Sequence, residues 1–255
     1  MKNQLNQYAE LAHNILNSNS RFVANRKIIE RIFQFEQENT FQIRLTVIDS
    51  YYSTQMNKRL FGLEAIVNEL ETYTDDDLKI HINKFLNEPT KGVIFDLFQK
   101  KFGINKHGKS QKKAISLLSK YFYFLVNGEF PIYDELGKVS YKLLCENGYL
   151  ESSSINEINY FTKIISLKYS SNIHSFEKLD NLLWLIGKIS KGSFSILMNK
   201  EKYQSITKRV NFTGKESSKD VDLKIREFIK NSYQSLEIFT ADEKHFLEFV
   251  FSLNN

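Results

Sequence analysis

The chain has 255 residues, 42% of them hydrophobic and 14% aromatic, enough apolar material for one large core or two lobes and too much for a disordered segment. Only 2 Pro and 10 Gly punctuate it, which favours long helices over a turn-rich sandwich. Its single cysteine, Cys145, excludes an internal disulfide framework and a four-cysteine zinc or iron–sulfur site. A net charge of +5 hints at an anionic partner. No apolar run nears the roughly 18–20 residues needed to span a bilayer. The N-terminus lacks a signal peptide's apolar centre, so a cytoplasmic protein without a membrane partner is expected.

Helical periodicity runs through nearly every segment. Phe41, Leu45, Ile48, Tyr52 and Met56 recur at steps of three or four, and so do Leu60, Leu63, Ile66, Val67 and Leu70. Thr74 followed by Asp75, Asp76 and Asp77 signals a helix start before Leu78, Ile82 and Phe85, and Pro89 is its stop. Ala114, Leu117, Leu118, Tyr121, Phe122 and Leu125 form the next stripe. Its last turns are apolar all round, so this helix is predicted to be central. Asn127-Gly128 ends it, a Phe-Pro-Ile-Tyr linker follows, and Asp134 opens a helix carrying Leu136, Val139 and Leu143.

Further on, Ser152-Ser153-Ser154 can cap a helix through Ile155, Ile158, Phe161 and Ile165. Leu179, Leu182, Leu183 and Ile186 mark another, residues 211–218 read as a loop, and two helices near Val221–Tyr233 and Ala241–Leu253 close the chain. The expectation is an all-α fold of around ten to twelve helices, with no repeat.

Charge is unevenly spread. From Leu97 to Gly128 there is no carboxylate, while Lys100, Lys101, Lys106, Lys109, Lys112, Lys113 and Lys120 supply seven positive charges. Residues 187–230 carry eleven Lys or Arg against five acids. Either stretch can be a solvated surface; the acid-free one also suits a phosphate backbone, with Lys106, Lys109, Lys112 and Lys113 as its contacts.

Two carboxylates stand out. Asp134 can be a simple N-cap. It can also be catalytic, because a helix N-terminus favours negative charge and a carboxylate there could stabilise an oxocarbenium-like sugar cation. Asp49 falls on the apolar stripe of Leu45, Ile48 and Tyr52, where a carboxylate needs a partner: it is a structural hydrogen-bonding group or a second catalytic acid. If the two share a site, their pKa values should separate. Tyr51, Tyr52 and Tyr133 lie beside them in sequence and could wall a base pocket, although an aromatic-rich chain puts rings beside everything. The five histidines are scattered, and there is no phosphate loop, dinucleotide fingerprint or nucleophile elbow. Neither a metal nor a nucleotide cofactor is expected.

Residues 47–70 and 112–141, about 55 of the 255, together resemble the helix-hairpin-helix DNA glycosylase superfamily, the endonuclease III and adenine glycosylase group. The first holds Ser53-Thr54-Gln55, similar to a turn at which relatives fill the gap left by a flipped base, which would put Gln55 in the base pocket. The second holds Leu125-Val126-Asn127-Gly128 and then Phe130-Pro131-Ile132-Tyr133-Asp134, similar to the family's approach to its catalytic aspartate. The resemblance implies two helical lobes with a cleft between them, a glycosylase-like core in 1–150 and an additional basic helical region in 151–255. It departs from the family in two places. The double-glycine hairpin is degenerate, with only Gly108 near a lysine cluster. The position of the family's lyase lysine, 18 residues before Asp134, is Ser116, with Lys120 one turn later on roughly the same face. These features imply a monofunctional enzyme using water on double-stranded DNA, with Lys120 as an alternative Schiff-base lysine. Its substrate would be a damaged base or a modified base in foreign DNA. A non-catalytic DNA-binding module on the same fold, or a helical protein that binds other proteins, are the competing readings.

Overall fold

The structure, a computed structural model, describes residues 2–35 and 40–254. In chain order they form α1 (Lys2–Ser18), α2 (Ser20–Phe33), α3 (Thr40–Tyr52), α4 (Leu63–Leu70), α5 (Asp75–Asn87) and α6 (Val93–Gln99). A hairpin of β1 (Lys101–Ile104) and β2 (Ser110–Lys113) follows, then α7 (Ile115–Leu125), α8 (Glu135–Glu146), α9 (Tyr160–Ser170) and α10 (Phe176–Ser190). The chain ends with α11 (Lys200–Thr207), α12 (Ser218–Ser232) and α13 (Ala241–Ser252). The protein is mostly helical, as its periodicity indicates.

The antiparallel pair β1–β2 departs from the all-α expectation. Its strands are four residues long and the second reads Ser-Gln-Lys-Lys, so neither shows an apolar alternation that a sequence reading could catch. The turn is built by Asn105, whose Oδ1 accepts from the amides of His107 and Lys109 at 2.9 and 3.1 Å, while Gly108 takes φ +72°. A second departure lies at 151–159. Ser152–Ser154 lie well before α9, which begins only at Tyr160; Oδ1 of Asn156 accepts from the amides of Ile158 and Asn159 in the segment between.

The chain divides into two compact units. One comprises Arg21–Asp134 and Ile155–Asp180, the other Met1–Ser20, Glu135–Ser154 and Asn181–Asn255. The last boundary, between Asp180 and Asn181, falls inside α10.

In the first unit α7 is the central helix. Every residue from Leu117 to Leu125 is buried, which an all-apolar surface requires. Around it Phe85, Phe98, Phe122, Phe130 and Phe161 interlock; Phe98 stacks on Phe161 at 4.7 Å and Phe122 meets Phe130 edge-on at 5.6 Å. Each fully buried ring contributes roughly 1.5–3 kcal/mol. Thr74 and Asp77 form a capping box at the start of α5, where the sequence signals a helix start. Asn127 and Gly128, at φ +51° and +87°, end α7 with the Gly128 amide reaching back to the Tyr123 carbonyl at 2.8 Å.

In the other unit α1 packs on α13, with Tyr8 stacked on Phe249 at 3.7 Å. The helix formed by α8 lies close enough to α10 that a Cβ on Gly187 would meet Leu136 at 2.8 Å, so only glycine permits that approach. Among the described residues no helix is long and apolar enough to cross a membrane.

Candidate functional site

An open groove of about 710 Å³ in the second unit, lined in part by Ser193, Tyr203, Asp222 and Arg226, brings no buried ionisable group to its walls. The chemistry-bearing groups lie in the first unit, where the linker after α7 is strapped to that helix. The Tyr133 amide donates to Ser119 Oγ at 3.0 Å. The Tyr160 hydroxyl donates to the Ile132 carbonyl at 2.7 Å and accepts from the Asp134 amide. With Phe130 and Ile132 buried as anchors, Asp134 is carried alongside Lys120, the residue next to Ser119. Asp134 immediately precedes α8, as the sequence indicates.

Lys120 is the unusual group. Only 3% of it is exposed, although it carries an amine. Its Nζ donates to Ser116 Oγ at 2.8 Å and reaches the Ser116 carbonyl at 3.4 Å, so the serine one turn earlier holds the lysine. The Tyr52 ring lies 5.3 Å from Nζ. Desolvation pushes the Lys120 pKa below the ordinary lysine value, opposed by the charges of Asp134 and Asp180.

Asp180 completes the group, and the sequence reading missed it. Burial pushes its carboxyl up to about 7; the charge of Asp134 adds to the rise, and Lys120 and Arg26 oppose it. Arg26 is bonded to Glu177 and, at 2.6 Å, to Glu30, and its guanidinium lies 5.9 Å over the Tyr123 ring. Burial leads the causes that raise the phenol pKa values of Tyr52, Tyr123 and Tyr160. Tyr52 nonetheless keeps 40% of its surface exposed, so one aromatic residue joins the buried amine to the protein's exterior. The signal for Asp180 was present: it sits four residues after Phe176 and three before Leu183, on an apolar stripe, as Asp49 does on its own.

Asp49 is held by the turn that follows its own helix. Its Oδ1 accepts from the Thr54 hydroxyl and, at 2.9 Å, from the Met56 amide, and its Oδ2 accepts from the Asn57 amide at 3.1 Å. Both oxygens tie the turn after α3, the structural role weighed for it. The carboxylate whose charge couples to Asp134 is Asp180 instead. The turn that Asp49 ties holds Ser53 and Gln55 at φ +50° and +70°, left-handed conformations that cost non-glycine residues about 1 kcal/mol or more. Gln55 is exposed on it, and Tyr51 is exposed on the last turn of α3. Tyr133 is half-buried, its ring edge-on to Tyr160 at 4.8 Å.

The four lysines read as DNA contacts fall on the β-hairpin. Lys106 and Lys109 are in its turn and Lys112 on β2, all exposed. Lys113 is tied to Glu157 and Gln99, each at 2.6 Å, which neutralises much of its charge. The hairpin is fixed to the turn region before α4 by the Ile104 amide, which donates to the Leu60 carbonyl at 2.8 Å.

No protein-family model, curated protein or solved structure matches the chain. Among the described residues, no group of three or more His, Cys, Asp or Glu is placed to hold a metal ion.

Proposed function

We propose that the protein is a DNA N-glycosylase of the helix-hairpin-helix type, its glycine hairpin substituted by the lysine-bearing β-ribbon. It would excise a damaged or modified base after turning the nucleotide out of the stack, at a cost of roughly a few kcal/mol. The observation that carries the reading is a nearly fully buried lysine, its pKa depressed, in the electrostatic company of Asp134 and Asp180. A neutral amine is a nucleophile, and desolvation is a means of keeping a lysine neutral. This supports Lys120, rather than the water that the sequence resemblance implies, as the group that captures the sugar C1′. Asp134, at the entrance of α8, would stabilise positive charge developing on the sugar as the base departs. Tyr52, over the amine and partly exposed, would meet the extruded nucleotide.

The test is release of free base from a panel of lesion-containing and phage-modified DNAs, with borohydride trapping of a lysine–sugar imine. Base release and trapping by the wild type, both lost in Lys120→Met and base release lost in Asp134→Asn, is the expected result. No release from any DNA, or full activity in Asp134→Asn, overturns it. The exposed lysines of the hairpin favour one second reading, a DNA-binding module without chemistry. It requires salt-dependent affinity with neither release nor trapping.

A further inference from the structure

Phe61, in the turn between α3 and α4, leaves 68% of its surface exposed and makes no ring contact among the described residues. Its φ of +52° is one that a bulky side chain rarely adopts. The backbone on either side is pinned. The Leu60 amide donates to the Gln55 carbonyl at 2.9 Å, and the Gly62 amide donates to the Met56 carbonyl at 2.8 Å. Asparagine or glycine would suit both the conformation and the solvent better, so packing gives no reason for phenylalanine at this position.

The same turn is built against the β-ribbon. Beyond the bond from the Ile104 amide to the Leu60 carbonyl, two glycines permit a close approach. A Cβ on Gly62 would lie 2.8 Å from the Phe102 carbonyl carbon, and one on Gly103 would lie 2.9 Å from the Leu60 Cβ. Both neighbours of Phe61 therefore rest on β1. Lys112 pairs with Gly103, and its Cβ lies 3.1 Å from that same point, so its side chain leaves the ribbon on the face turned to Leu60. The fold thus joins two stretches without a carboxylate, residues 50–63 and 97–128. Lys58 and Arg59, just before the ring, are exposed, and their side chains enter no hydrogen bond or ion pair among the described residues. Lys100 and Lys113 are answered by Glu69 and Glu157; Lys101, Lys106, Lys109 and Lys112 have no such partner among the described residues.

We propose that Phe61 is a wedge that enters the base stack of double-stranded DNA, with Lys58, Arg59 and Lys112 on the phosphates beside it. The inference rests on the DNA partner of the proposed function and not on its chemistry. Insertion between two base pairs gives the ring the burial that the protein denies it, and cations on the flanking phosphates hold the duplex while the step opens. A pinned turn suits that task, because a loosely held ring would fold back rather than part the bases. Unpaired cations on both sides of the ring favour a polyanion over an apolar protein surface. One projecting ring also fits a single step of a duplex, whereas single strands are tracked by rings in series.

The test compares the full-length wild type with Phe61→Asn, Phe61→Trp and the pair Lys58→Gln with Arg59→Gln, on short duplex and single-stranded DNA of random sequence. Fluorescence anisotropy reads affinity at several salt concentrations. Phe61→Asn should weaken duplex binding about 5–100-fold, the range of one base stack, with the salt slope unchanged. It should unfold in urea no earlier than the wild type, because asparagine accepts the positive φ. Phe61→Trp should keep its affinity, and the emission it adds to that of Trp184 should be quenched by the duplex. The double Gln variant should flatten the salt slope by about 0.9 for each phosphate no longer neutralised. A Phe61→Asn protein that folds and binds the duplex as tightly as the wild type overturns the proposal. So does added indole emission that the duplex leaves unchanged, or that only single strands quench. A wild type with no affinity for any DNA overturns the DNA partner and the wedge with it. A protein whose added indole is quenched by duplex but which releases no base overturns the glycosylase chemistry and supports the wedge.

Discussion

Replacing Asp180 with asparagine should make the protein more stable, by an amount that grows with pH. A carboxyl moved from 3.8 to about 7 binds its proton about 4 kcal/mol more tightly in the fold than in the open chain. The folded pKa is the higher one, so its contribution is fully present below the unfolded value and is lost as pH rises through the folded value. Below about pH 4 both states are protonated and the two proteins should differ little. Between about 4 and 7 the unfolded chain ionises while the fold resists, and the wild type loses stability. Asparagine carries no charge at any pH and fits the same space, so it escapes this loss. Urea unfolding of both proteins at several pH values reads the difference directly. It should climb from near zero at the acid end to about 2–4 kcal/mol above neutrality, the range allowing for relaxation around the charge. Repeating the comparison in a Lys120→Met background removes the partner's titration from the difference. A gap independent of pH would refute the picture of a desolvated acid.

Asp49→Ala strips three donors of their acceptor, one of them the buried Met56 amide, and should cost about 2–4 kcal/mol in thermal or urea unfolding; a loss within error would show that solvent replaces the carboxylate. Arg44 is 1% exposed and is bonded to Asp75 at 2.7 Å and to the Phe33 carbonyl at 3.2 Å. Arg44→Met should destabilise by about 2–4 kcal/mol, below a fully buried pair because Asp75 keeps partial access to water. Changing Lys106, Lys109 and Lys112 together to Gln should flatten the dependence of DNA affinity on salt by about 0.9 for each phosphate no longer neutralised, measured by fluorescence anisotropy. Lys113→Gln, whose charge is already taken by Glu157, should do less, and an unchanged slope in the triple variant would remove the hairpin from the DNA-binding reading.

What the sequence made legible was local. Thr74 and Asp77 announce the capping box of α5, Asn127 and Gly128 the end of α7, and the all-round apolar turns of α7 its burial. Asp134 at the entrance of α8 follows from the linker composition. What remained hidden depends on neighbours distant in sequence. The hairpin strands have no apolar period, and Asn105 rather than a glycine pair sets their turn. Asp49 and Asp180 gave the same signal, an acid on an apolar stripe, yet one meets the amides of its own turn and the other meets a helix 60 residues earlier in the chain. Periodicity shows that an acid is placed among apolar neighbours; it does not reveal which donors await it.

The contrast between the buried charges of the first unit bears on their purpose. Arg44 is matched by a bidentate carboxylate and Arg26 by two glutamates, the arrangement expected when burial of a cation must be offset. Lys120 has two carboxylates within electrostatic reach, yet its described hydrogen bonds go to the hydroxyl and carbonyl oxygens of Ser116. Of the two, Asp180 favours the protonated form up to about 7. A structural ion pair would tie the amine to an ionised carboxylate; here burial drives both toward their neutral forms. Replacement of such a pair by apolar residues of similar size costs a fold nothing and often stabilises it. An amine buried against a serine rather than on a carboxylate lacks the usual compensation for its burial, and such perturbed groups cluster at functional sites.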